Sequence, residues 1–192
     1  LGEEAERLEA LRFQSQHDDL TRLMTRTQFL RRVESALARE DEQAGGTLVI
    51  ARVGDIASLN RQHGRPVVDD LLRALGHHLL HLASSRPDWE AGRLNGTDFA
   101  LLATGEDDAT GLAKRVQAVI EEALALAGDG TRLEVAFPLG ACAFSPGTAL
   151  KSLLARTDGA LEVVYADPAR GLYQKIVVSD DARTLLGGVF VG

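Results

Sequence analysis

A single cysteine, Cys142, stands in a chain of 192 residues. One thiol cannot close an internal disulfide, so no covalent staple holds this fold. Set in the apolar run Leu139–Phe144, it reads as a small buried hydrophobe in a reducing compartment. Also missing is any apolar run near the ~20 residues that a membrane-spanning helix requires, and no signal peptide opens the chain. The first residue is Leu1 rather than Met, which reads as an excised fragment of a longer protein. A basic excess is absent too: 28 Asp and Glu face 21 Lys and Arg, a net charge of −7. Nucleic-acid-binding surfaces leave a basic footprint, so that class is excluded, while a local pocket for one nucleotide stays open.

What is present suits one domain of moderate size with short extensions: 45% hydrophobic and 26% charged residues over a length that can bury one core. Residues 1–16 are charged and helix-favouring, with Leu1, Leu8 and Leu11 at positions compatible with a short heptad seam. They read either as a signalling helix that brings rotation or dimerisation from upstream, or as a solvated leader. A second helix carries Phe29, Leu30, Val33, Ala36 and Leu37 on one face.

After Gly45-Gly46, residues 47–53 form a short β-branched apolar run, the mark of a central strand. Pro66 opens a long helix whose face is Val68, Leu71, Leu72, Leu75, Leu79 and Leu82, with Asp69 and Asp70 in its first turn. Strands are expected over 89–94 and 98–103, then a helix through Leu112, Val116, Val119, Ile120, Ala123 and Leu124 that stops at Gly128. A strand over 133–144, a helix over 150–164 and a strand over 172–178 complete the pattern. Helices alternating with strands around a central hairpin predict an α/β sandwich on a mixed sheet. The divisions are 1–17 for the leading helix, 18–178 for the domain, and 179–192 for a linker or the start of another domain.

Asn95-Gly96 on its own is a type I′ hairpin signal, since both residue types accept positive φ. His77 and His81 are spaced i, i+4 with His78 between them, but no His-Glu-x-x-His pattern is present, so they read as a solvated face.

The heptapeptide Arg93-Leu94-Asn95-Gly96-Thr97-Asp98-Phe99 resembles the signature of the GGDEF family, the diguanylate cyclases, which reads Arg-x-Gly-Gly-Asp/Glu-Glu-Phe. Arg93, Gly96 and Phe99 keep that pattern; Asn95 replaces a glycine, Thr97 an acidic metal ligand, and Asp98 a glutamate. Four other segments fall in family order. Asp19-Leu20-Thr21-Arg22-Leu23-Met24-Thr25-Arg26 resembles the opening Asp-x-Leu-Thr-x-Leu-x-Asn-Arg, and Arg52-Val53-Gly54 occupies the place of Asp-x-Asp. Asn60, Gly64 and Asp69 match the Asn-Asp…Gly-His…Gly-Asp stretch, and residues 153–161 resemble the closing Ala-Asp-x-Ala-Leu-Tyr. The resemblance covers about 19–175 and implies a nucleotidyl-cyclase, polymerase-palm-like fold.

In active relatives two metal ions sit on the first Asp of that strand, a neighbouring backbone carbonyl and the acidic third signature residue, and activate a GTP hydroxyl. Hard cations require oxygen ligands. Here those ligand positions hold Arg52 and Thr97. A guanidinium stays charged and cannot ligate, and at ~4 Å it repels a divalent ion by several kcal/mol at an effective dielectric near 20. The family lysine falls on Tyr165 and its Gly-Arg on Pro168-Ala169, with Arg170 one place late. The inhibitory Arg-x-x-Asp maps to Arg86-Pro87-Asp88-Trp89, keeping Arg86 and losing the aspartate to Trp89.

Asn60 and Asp69 match residues that hydrogen-bond guanine; taken alone they read as a helix-capping asparagine and a first-turn aspartate. Arg52 reads as a salt bridge across the old cleft to Asp98, or as a direct phosphate contact. The whole resembles most the degenerate GGDEF domains of LapD-type receptors, through the strand Leu-Val-Ile-Ala-Arg-Val-Gly-Asp-Ile-Ala-Ser-Leu-Asn (residues 48–60) and the helix that feeds it. That resemblance implies an inactive regulatory domain with no catalytic residue, metal or cofactor. It also implies homodimerisation through the first helix, a neighbouring EAL domain that binds c-di-GMP in this domain's stead, and a cytoplasmic place in an inner-membrane-anchored bacterial receptor. The rival readings are a divergent active cyclase using Mg²⁺ and GTP, and a GTP-binding regulatory domain.

Overall fold

The computed structural model describes residues 2–41, 45–127, 133, 135–161 and 177–179. Along the chain come α1 (Gly2–Gln16), β1 (Met24–Thr25), α2 (Arg26–Leu37), β2 (Gly46–Arg52), α3 (Ile56–His63) and α4 (Arg65–Ala83). They are followed by β3 (Trp89–Arg93), β4 (Asp98–Thr104), α5 (Ala109–Leu126), β5 (Leu139–Phe144), α6 (Leu150–Gly159) and β6 (Val177–Ser179). The strands lie in the order β1-β3-β4-β2-β5-β6. β2 runs antiparallel to β4 and β5, and β3 antiparallel to β4, while the outer pairs β1–β3 and β5–β6 are parallel. This is the mixed sheet between helices that the sequence predicts.

Strand alternation sorts the core into two layers. Val49, Ala51, Phe99, Leu101, Leu139 and Ala141 face α3, α4 and α5, and meet Leu71, Leu75, Leu79, Leu112 and Val116. Leu48, Ile50, Ala100, Leu102, Cys142 and Phe144 face the other way, onto Phe29, Val33 and Leu153 of α2 and α6. β2 is buried on both faces, which is why its sequence reads as a continuous apolar run. Cys142 is fully buried in the second layer, the packing role its neighbours predict. Gly92 is a glycine because the Phe29 ring lies on it: a Cβ there would stand 2.6 Å from that ring.

Several expectations need correction. The hairpin is no two-residue type I′ turn: neither Asn95 nor Gly96 has positive φ. Residues 94–97 connect β3 to β4, and Asn95 Oδ1 accepts from the backbone N–H of Thr97 (2.9 Å) and of Asp98 (2.8 Å), so a side chain closes the turn. α4 starts at Arg65, one residue before Pro66, and Asp69 and Asp70 therefore stand beyond its first turn.

The strand expected over 133–144 becomes regular only at Leu139. Upstream, the carbonyls of Pro138 and Ala136 accept from the N–H groups of Arg52 and Gly54, but Pro138 has no N–H to return. α3 and β1 went unforeseen; β1 has two residues, too short to leave a period. α6 ends at Gly159 where the period extended to 164. Residues 162–164, 172–176 and the tail beyond 179 lie outside the described residues, as does Gly128. α1 forms as expected and buries no residue, with Leu8, Leu11 and Phe13 about half exposed.

Candidate functional site

The sheet brings Arg52 and the turn residues Asn95, Thr97 and Asp98 together at the end of β2. Arg52 and Asp98 are register partners across β2 and β4, and both side chains fall on the α6 side of the sheet. Arg52 grips the Asp98 carboxylate with two hydrogen bonds, Nε to Oδ1 and Nη2 to Oδ2, each 2.8 Å. Nη2 also reaches Asp158 Oδ1 on α6 at 3.1 Å. The Asp98 side chain is 8% exposed and that of Arg52 40%. Thr97 turns its hydroxyl to Asp98 Oδ1 (2.9 Å) and Asn95 Oδ1 (3.0 Å).

Burial pushes the Asp98 carboxyl up, yet the hydrogen bonds from Arg52 and Thr97 outweigh it and hold the group below the usual carboxylate range. Hydrogen bonding to Asp98 likewise raises the Arg52 guanidinium above its ordinary value. The salt bridge between Arg52 and Asp98 expected from sequence is therefore present, with Asp158 as a partner the sequence did not reveal. One cation among two carboxylates leaves local charge of −1, which opposes a phosphate as a further partner for Arg52.

Arg93, one of the three signature residues that keep the pattern, acts as a strut. Arg93 Nη1 donates to Asp18 Oδ2 (2.9 Å) and Nη2 to the Gly96 carbonyl (3.0 Å), with its Cζ 5.8 Å from the Phe99 ring centroid. Asp18 also accepts from Thr21 N–H and Oγ1. Burial would raise the Asp18 carboxyl, but Thr21 and Arg93 hold it below its ordinary value. The turn seats on α4 at Gly76, where a Cβ would stand 2.7 Å from Thr21. The opening motif is expected on Asp19, but the spacing Asp-x-Leu-Thr, with one residue between Asp and Leu, singles out Asp18.

Asn60 is no helix cap. Asp55 caps α3, accepting from Ser58 N–H, and Asn60 sits inside the helix. Its Oδ1 is buried and has no hydrogen-bond partner among the described residues. Asp69 lies on the adjacent α4, 4.0 Å from Arg65. Both belong to helices on the sheet face opposite α6. Arg86 lies apart, with its Cζ 5.8 Å from the ring centroid of Trp89, which is 5% exposed and part of the core. The position to which the resemblance assigns an inhibitory aspartate holds a buried indole.

His77 and His81 are exposed on α4, while His78 approaches Glu122 of α5 at 3.7 Å. Among the described residues no three His, Cys, Asp or Glu side chains are grouped to hold a cation. Tyr165, Pro168, Ala169 and Arg170 lie outside the described residues. No described helix is long and apolar enough to cross a membrane.

Against known proteins, a family model described as diguanylate cyclase, GGDEF domain, matches residues 15–168. The chain is 33% identical over 139 residues to an uncharacterised Streptomyces griseus protein from the region 5′ of hutH; the match covers 69% of this chain and 56% of that relative, little more than half its length. The fold is similar to the coiled coil and GGDEF domain of DgcB from Caulobacter crescentus, solved in complex with c-di-GMP. There the TM-score is 0.67 and the identity 23%, over 83% of this chain and 85% of that one. It is also similar to the S helix–GGDEF–EAL portion of Vibrio cholerae LapD bound to c-di-GMP, at TM-score 0.65 and 20% identity, over 83% of this chain and 36% of that one. At such identities the two structures speak for the fold.

Proposed function

The chain belongs to the GGDEF domain family, and from that premise we propose that it is a regulatory member, in c-di-GMP signalling, that has kept the fold and given up the metal-dependent reaction. One observation carries this reading: the guanidinium of Arg52 stands at the position of the family's first metal ligand and is locked onto Asp98 by two 2.8 Å hydrogen bonds. The donor set does not fit Mg²⁺. A fixed cation replaces a carboxylate, the Thr97 hydroxyl is turned to Asp98 and Asn95, and Asp98 already serves Arg52.

The guanine end supports a second reading, a domain that binds GTP without turnover. Asn60 Oδ1 is a buried acceptor without a donor, and a guanine edge offers N–H donors; Asp69 supplies a carboxylate on the next helix. Such binding is independent of metal and unchanged by EDTA. Arg52 contributes no phosphate contact while Asp98 and Asp158 hold it. Arg86 is what remains of the inhibitory site, and c-di-GMP binds the isolated domain weakly because Trp89 has no carboxylate to offer.

In this reading the domain works through contacts. α1 pairs with the α1 of a second copy through Leu8 and Leu11, and the body acts beside an EAL domain that carries the c-di-GMP affinity. The setting is the cytoplasmic side of a membrane-anchored receptor, and the acidic balance leaves nucleic acid out of its partners.

Incubation with GTP and Mg²⁺ or Mn²⁺ is expected to yield no c-di-GMP above background. Product that scales with protein and disappears with EDTA would overturn the inactive reading. For the contact role, replacing Leu8 and Leu11 by Gln is expected to weaken self-association in sedimentation by roughly tenfold or more, since burying each leucine is worth about 1.5–3 kcal/mol. The melting temperature of the body should stay put, because α1 buries nothing against it. Unchanged self-association would remove α1 from the interface.

A further inference from the structure

His17 stands where α1 ends and the sheet begins. Its backbone bridges to Met24 of β1 in the antiparallel sense. Its ring stacks on Phe13, one turn earlier in the helix, with centroids 3.9 Å apart and planes inclined by 16°. The Phe13 carbonyl accepts from the backbone N–H of His17 at 3.0 Å, and ring Nδ1 stands 3.0 Å from the same oxygen. A carbonyl only accepts, so that contact needs a proton on Nδ1. Neutral imidazole carries one proton on either nitrogen and can leave Nδ1 as an acceptor facing an acceptor; the cation carries both.

The helix itself favours the cation. α1 has Glu3 and Glu4 in its first turn and no basic residue in its last. The first arrangement suits the helix dipole, and the C-terminal counterpart is missing until His17 is charged. An imidazolium on the Phe13 face adds the attraction of a cation to a ring. The surrounding charges are mixed. Burial pushes the Glu90 carboxyl of β3 up, Arg32 of α2 pulls it down, Asp88 pushes it up, and the charge of His17 pulls it down. Arg32 already leans on Glu90 at 3.8 Å. In the turn after α1, Asp18 is taken by Arg93 and Thr21, and Asp19 is exposed. Arg22 lies over Phe13 with its Cζ 6.0 Å from the ring centroid. Arg22 and Arg32 oppose a charge on His17; Glu90, Asp88 and the helix end favour it.

We propose that His17 is a proton-operated latch on α1: its protonation orders the last turn of the helix and joins it to the sheet. Imidazole changes charge between about pH 5 and 8. A lone helix of fifteen residues is marginal in water, so one charge at its end shifts its population. The Phe13 carbonyl, the Phe13 ring and the dipole meet the cation only in the ordered helix. Their stabilisation is therefore present in acid and lost as pH rises through the imidazole titration. A consequence for pairing rests on the reading of α1 as the self-associating helix; the ordering of α1 does not.

Backbone carbon chemical shifts of residues 13–16 test the latch, read by NMR at a dilution where sedimentation shows a monomer. The ratio of helix to coil there is expected to rise roughly two- to fivefold from about pH 8 to about pH 5.5, the size of one charge at a helix end. His17→Gln should abolish the change, although His63, His77, His78 and His81 remain to titrate. Glu90→Gln should keep it, because burial makes Glu90 the other group able to titrate nearby. Shifts that ignore pH, a response that survives His17→Gln, or one that disappears in Glu90→Gln would overturn the latch. Sedimentation at higher concentration reads the pairing separately. Tighter self-association in acid that His17→Gln removes supports latch and pairing together. Helix order that follows pH without self-association supports the latch and removes the pairing.

Discussion

Two polar regions of this molecule have met opposite fates. At the end of β2, Arg52, Asp98, Thr97, Asn95 and Asp158 satisfy one another through hydrogen bonds of 2.8–3.1 Å. On α3, the Asn60 carbonyl is buried and faces no donor among the described residues. A buried polar atom left unpaired costs about 1–3 kcal/mol, whereas a paired one is roughly neutral or mildly favourable. The first region is therefore satisfied from within. The second holds an acceptor that no described residue satisfies.

Reversing Arg52 breaks this contrast most severely. Arg52→Asp places a third carboxylate against Asp98 and Asp158. Removing one partner of a buried pair costs about 3–5 kcal/mol; with Arg52 partly exposed, roughly 2–4 kcal/mol is expected. For a domain of this size that lowers the melting temperature by roughly 5–15 °C. Millimolar Mg²⁺ or Mn²⁺ should restore part of the loss in the variant and add nothing to the parent in a thermal shift assay. A variant as stable as the parent would show that the ion pair is ornamental.

A smaller effect appears in acid. The Asp98 carboxyl is lowered in the folded state, so its contribution is in place above the unfolded value near 4 and is lost as pH falls through the lowered one. Asp98→Asn should therefore flatten the acid limb of the stability curve below about pH 4. Asp18, lowered through Thr21 and Arg93, should still give the variant a residual slope. An acid limb unchanged in Asp98→Asn would assign the whole dependence elsewhere.

The mildest change sharpens the other side. Asn60→Ala deletes an acceptor that has no partner, and should move stability by less than about 1 kcal/mol. The same variant should abolish any thermal shift produced by GTP in EDTA. A loss of more than about 2 kcal/mol would mean that the carbonyl already has a structural donor.

The sheet and its two layers were legible because apolar period is dictated by burial, and burial here is thorough: the faces read from Val68, Leu71, Leu75 and Leu79, and from Phe29 and Val33, are the buried ones. The Arg52–Asp98 pair was legible because neighbouring strands bring the two positions into register. Less could be read where a side chain, rather than a backbone tendency, sets the geometry. Asn95 closes the hairpin through its own oxygen, so the Asn-Gly dipeptide misleads about the turn. Asp158 and Asp18 come to the site from α6 and from the turn before β1, and no local pattern announces a contact 106 or 75 residues away. Asn60 looked like a cap because Asn often is one, and the neighbouring Asp55 had already taken that place.

α1 is fifteen residues long and buries none of them. Isolated helices of about that length are marginal in water, since propagation barely repays the cost of nucleation. Its amides should exchange with solvent quickly whenever nothing lies against it, and slow down once something does. Under the proposed contact role, the quantity that this helix passes to the body through His17 and Asp18 is its own degree of order, a graded variable that a geometric lever does not possess.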